Sequence, residues 1–90
     1  SWLTGVATKM HKGLRGYSTS FVAAIAHGQL SDLMFQFAHE CVVREISVSA
    51  VAERLGVTRT TVYAWFTGKA EPRMRHQEKI RQILARWNRA

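Results

Sequence analysis

The side chains able to do chemistry in this 90-residue sequence are mainly cations, and they are unevenly placed. Lys9, Lys12 and Arg15 stand without an acid in residues 1–30, a net charge of +3. Residues 31–68 set Arg44, Arg54 and Arg59 against Asp32, Glu40, Glu45 and Glu53, a net −1. Residues 69–90 hold Lys69, Arg73, Arg75, Lys79, Arg81, Arg86 and Arg89 against Glu71 and Glu78, a net +5. The total is +7, with a pI near 10.6. Clustered Lys and Arg attract phosphates and release their counterions, so the balance favours a polyanionic partner, either nucleic acid or an anionic membrane surface. A basic surface without a specific partner is the plainer alternative.

Other chemistries find little support. His11, His27, His39, His76 and Cys41 make no metal-ligand pattern, and the "HEC" at 39–41 sends His39 and Cys41 in different directions on a helix. There is no carboxylate pair, no nucleophile beside a base, and "GLRG" at 13–16 is too short for a phosphate loop. Neither an enzyme nor a bound cofactor is expected. With Cys41 the single cysteine, no internal disulfide can form. The longest clean apolar run, "FVAAIA" at 21–26, is too short for a membrane span or a signal-peptide core, so a cytoplasmic protein is expected. The chain opens on Ser1 rather than Met, which suits a processed or excised segment.

These side chains need a scaffold, and a chain of this length has room for one compact core that buries about 60–65% of its unfolded surface. Leu33, Met34, Phe37, Ala38, Cys41 and Val42 recur at helical spacing behind the N-cap Ser31, predicting a helix over about 32–44. Val48, Val51, Ala52 and Leu55 repeat the pattern after the capping candidates Ser47 and Ser49, and Gly56 closes a second helix, about 48–55. His76, Ile80, Ile83, Leu84 and Trp87 form the apolar stripe of a basic amphipathic helix over about 73–88, following Glu71 and Pro72. Nearer the start, "STSFVAAIAHG" predicts a short helix near 20–27 stopped by Gly28, preceded by a loose basic arm.

The stretch "GVTRTTVYAWFTGK", residues 56–69, is rich in β-branched and aromatic types and by composition suits a strand. As a strand, however, it separates polar from apolar poorly. As a helix over about 59–66 it gathers Val62, Trp65 and Phe66 on one side, with Thr60, Tyr63, Ala64 and Thr67 on the other. Thr58 can serve as its N-cap and Gly68 as its stop. Pattern and caps outweigh propensity here. The unit is then helix, "GVT" turn, helix, with small Ala52 permitting close approach and Gly56 supplying the positive φ of the turn.

The segment "VSAVAERLGVTRTTVYAWFTGKAEP" resembles the helix-turn-helix of the Cro and phage-repressor family. Ala52, Gly56, and the apolar Val51, Leu55, Val57, Val62 and Trp65 fall where that motif wants them, and "FTGKAEP" resembles the ending after its second helix. The motif covers residues 48–67, and the flanking helices extend the likeness to roughly 31–90. The resemblance implies an all-α fold, a small helical bundle of about five helices of the phage-repressor kind. It also implies that the second helix of the motif enters the DNA major groove. Carried over by position, Arg59, Thr60, Tyr63, Ala64 and Thr67 face bases. Arg59 is the leading candidate for guanine, and Tyr63 has the reach for a phosphate. Ser49, Thr58, Lys69, Arg73 and Arg75 are the corresponding phosphate contacts.

The expected organisation is a basic arm plus short helix over residues 1–30 and a DNA-binding domain over 31–90. The expected function is sequence-specific binding of double-stranded DNA by a bacterial or phage regulator, a repressor acting as a homodimer on a two-fold site. Two other readings stay open. The chain can be the DNA-targeting module of a larger transposase, recombinase or ATPase. It can also be an adaptor docking on an acidic partner through the basic C-terminal helix or through residues 1–30. Trp87 is a reasonable anchor for a dimer contact, whereas Trp65, beside Val62, reads as core.

Overall fold

A computed structural model describes residues 19–27 and 30–89 of the chain. The basic arm with Lys9, Lys12 and Arg15, the "GLRG" stretch, His11 and the Gly28 stop lie outside the described residues. Among those described there are five helices and no strand: α1 (Thr19–His27), α2 (Asp32–Val43), α3 (Val48–Leu55), α4 (Arg59–Phe66) and α5 (Met74–Arg89). The protein is an all-α bundle, and the strand-like composition of α4 has yielded to its helical pattern.

Each of the three central helices begins on a hydroxyl cap. Ser31 accepts from the Met34 N–H, Ser47 from the Ala50 N–H and Thr58 from the Thr61 N–H, which satisfies donors that a helix start leaves open. The same three helices also end alike, each on a residue in the left-handed region that lets two later amides reach back. Glu45 donates to Val42 and Ile46 to Cys41; Gly56 to Glu53 and Val57 to Ala52; Gly68 to Trp65 and Lys69 to Ala64. Gly56 (φ 69°) and Gly68 (φ 79°) take this conformation freely, but at the end of α2 it is Glu45 (φ 59°) that does so. A β-carbon at Gly56 would meet nothing within 4 Å, so the glycine is there for its dihedral and not for space.

Packing joins α3 to α4, α1 to α2, and α2 to both α4 and α5. One core results, centred on Phe37, Cys41 and Val42 of α2, Val62 and Phe66 of α4, and Ile80 of α5, all essentially inaccessible. Val22 and Ile25 bring α1 into the same core, at 1% and 0% exposure. Trp65 is buried, as expected from its place beside Val62.

Long-range contacts secure the far end of α5. Trp87 stacks on Phe37 with centroids 5.9 Å apart. The Arg44 guanidinium sits 4.9 Å from the Trp87 ring centroid, bonds Glu40 at 2.9 Å and donates to the Trp87 carbonyl at 3.4 Å. Much of the aromatic surface that suggested an outward anchor is therefore spent inside the bundle. At the near end of α5, the Gln77 side-chain amide reaches back to donate to the carbonyl of the buried Pro72 at 2.8 Å.

Candidate nucleic-acid interface

The eight residues of α4 divide cleanly. Val62, Trp65 and Phe66 face the core, Arg59, Thr60 and Tyr63 are exposed, and Thr61 and Ala64 are half-buried at the edge, as is Thr67 just past the helix end. The left-handed turn at Gly56 between α3 and α4 lets Ala52 and Leu55 bury against the next helix, so α4 is held by one side and presents the other.

On the presented side, Arg59 has no ion-pair partner among the described residues, so its five N–H donors remain open to an incoming acceptor. Thr58 is engaged as the cap, and its hydroxyl lies 2.9 Å from that of Thr61. With Thr61 as the donor of that pair, the Thr58 proton has no acceptor among the described residues. Thr67 is placed differently: its hydroxyl donates to the Tyr63 carbonyl at 2.7 Å, so its single proton is spent within the helix and lone pairs alone remain for a base edge. Tyr63 is 39% exposed, with its ring against Phe21 of α1 at 4.8 Å between centroids. Sequence reasoning missed Phe21 as a neighbour of this face, because 42 positions separate the two and no local pattern links them.

The residues anticipated around α4 are likewise accessible. Ser49, one position inside α3, is exposed with the open N–H groups of that helix start, whereas Val48 beside it is 1% exposed and belongs to the core. Lys69, Arg73 and Arg75 are exposed and have no ion-pair partner among the described residues. Farther along α5, Arg81 pairs with Glu78 at 3.5 Å, an exposed contact that contributes little to stability.

Among the described residues no three His, Cys, Asp or Glu side chains come together as a metal site. Cys41 is fully buried; burial, with the Glu40 charge adding to it and Arg44 opposing, pushes its thiol from 9.0 up to about 12, so it carries no thiolate at neutral pH. Among the described residues no helix is long and apolar enough to cross a membrane.

A small helical bundle in which two short helices meet at a left-handed turn, one held inside and one showing a polar face, is the architecture of a helix-turn-helix domain. Residues 44–85 match the helix-turn-helix family model, which is of the Cro and phage-repressor type. This part of the chain is a DNA-binding domain of the kind found in transcription regulators. No curated protein and no solved structure matches the chain.

Proposed function

We propose that this protein binds double-stranded DNA sequence-specifically, with α4 in the major groove, and acts as a repressor-type regulator in the cytoplasm of a bacterial or phage-infected cell. One observation carries the reading: α4 is pinned by Val62, Trp65 and Phe66 while Arg59, with no ion-pair partner among the described residues, stands with Thr60 and Tyr63 on its exposed side. A guanidinium fork matches guanine O6 and N7, the Thr60 hydroxyl and methyl suit a base edge, and Ala64 leaves clearance or touches a thymine methyl. Ser49, Thr58, Lys69, Arg73 and Arg75 hold the backbone on either side. Thr67 shapes the end of α4 and reaches a base only as an acceptor.

In this reading residues 31–90 are the DNA-binding domain, with α1 docked on it and Lys9, Lys12 and Arg15 adding charge toward the same polyanion. A recognition helix of this length spans only a few base pairs. Pairing two copies on half-sites one helical turn apart supplies the missing affinity, which supports a homodimer on the DNA. The role is binding, with no cofactor and no reaction.

Selection of sites from a random duplex pool, followed by titration across a salt series, tests the reading. A single enriched motif, bound with a steep loss of affinity as salt rises, is expected. Recovery of no motif rejects sequence-specific recognition.

A further inference from the structure

The exposed side of α4 is not freestanding. The Phe21 ring, from the first turn of α1, lies against Tyr63 with planes at 59° and also stacks on Phe66, with centroids 6.2 Å apart and planes at 20°. Phe66 in turn meets the edge of the buried Phe37 at 6.0 Å. A continuous run of aromatic contacts therefore leads from the core to a side chain on the DNA-facing surface. Phe21 lies outside residues 44–85, so the brace is added by a helix that the family model does not cover.

We propose that Phe21 is a specificity-determining positioning residue: by packing against the Tyr63 ring it sets where the Tyr63 hydroxyl meets DNA. The proposal rests on the reading of α4 as the recognition helix. A tyrosine on a two-turn helix otherwise samples several rotamers, and each must be given up on binding. With one side of its ring already against Phe21, the phenol is ordered beforehand, and its oxygen is confined to a small region of the groove or its edge. Misplaced partners are then disfavoured, which is how ordering before binding becomes selectivity.

The test uses the whole 90-residue chain and compares wild type with Phe21→Leu, Phe21→Trp, Tyr63→Ala, Arg59→Ala and the double variant Phe21→Leu/Tyr63→Ala. Site selection, titration of the selected duplex and a thermal melt are made for each. Phe21→Leu is expected to weaken the selected site about two- to tenfold, the range of a single aromatic pair. It should flatten preference at the base position that Tyr63→Ala flattens, while Phe21→Trp keeps that preference. In the Tyr63→Ala background Phe21→Leu should add nothing.

An equal loss on every sequence, or a loss that persists without Tyr63, overturns the proposal. If Arg59→Ala relaxes the motif but Phe21→Leu leaves it intact, α4 remains the reader and Phe21 is only core. If wild type selects no motif, both readings fall. Should Phe21→Leu not fold, proton contacts between the Phe21 and Tyr63 rings in the wild-type complex decide: their persistence on DNA supports the proposal, and their loss overturns it.

Discussion

Helices α4 and α5 both present cations to solvent, yet they are built on opposite plans. α4 is eight residues long, too short to persist alone in water, and depends for its position on a buried side made of Val62, Trp65 and Phe66. Its exposed side holds one arginine, without an ion-pair partner among the described residues, beside hydroxyls and a phenol, groups able to discriminate donor from acceptor. α5 runs for sixteen residues, buries Ile80, Ile83 and Leu84, and shows Arg75, Lys79, Arg86 and Arg89 on its exposed side. Cations dominate that side, with Glu78, Gln82 and Asn88 exposed between them. Under the proposed function the contrast corresponds to two tasks, reading in α4 and non-specific attraction in α5, and each can be disturbed alone.

The largest effect should come from the buried side of α4. Phe66→Ala removes a fully buried ring that meets Phe21 and Phe37, and is expected to cost about 3–5 kcal/mol in urea unfolding. Because α5 packs on α2 directly, amide exchange should quicken in α4 before α5. Simultaneous loss of protection in both helices would show that they are not independently held, and the contrast would fail at the level of the fold.

Arg59→Ala comes next and acts on the open side. It should cost about 1–3 kcal/mol on the selected site and relax preference at one base position. An equal loss on all sequences would move Arg59 from base to phosphate, and α4 would then resemble α5 in what it does.

How much of this was legible follows from how far apart the determinants lie along the chain. The bounds of α2 to α5 could be read because their apolar stripes and their caps Ser31, Ser47, Thr58, Gly56 and Gly68 are local signals, each acting within one turn of itself. Glu45 could not be read as a left-handed helix end, since nothing in "REIS" demands a positive φ; the amide of Ile46 reaching Cys41 settles it. The contact of Arg44 with Trp87 spans 43 positions, so the indole looked available for an interface when it stacks inside the bundle. The docking of α1 was invisible for the same reason. As for the candidate interface, spacing identified which side of α4 is exposed, but neither the engaged hydroxyl of Thr67 nor the Phe21 brace leaves a mark in the residue pattern.

A smaller effect is expected where α4 ends. Gly68 holds φ 79°, and Gly68→Ala should cost about 1 kcal/mol, the left-handed strain of a β-carbon less the entropy that alanine removes from the unfolded chain. Thermal melts would register the change while the selected motif stays as it was. A shift in the motif would mean that the last turn of α4, with Thr67, takes more part in reading than its engaged hydroxyl allows.

Lys79→Ala should have the smallest effect and is the most direct probe of α5. Its ammonium is exposed, with no ion-pair partner among the described residues, so the substitution should barely alter stability. If the α5 surface only attracts phosphate, preference among sequences stays fixed and the slope of log K against log salt falls by at most about 1. The two helices would then differ in kind: a substitution on α4 changes which DNA is bound, and one on α5 only how strongly binding depends on salt. A changed base preference in Lys79→Ala would bring α5 into the readout. The long basic helix would then count as a second reading element, and the division of tasks between α4 and α5 would have to be given up.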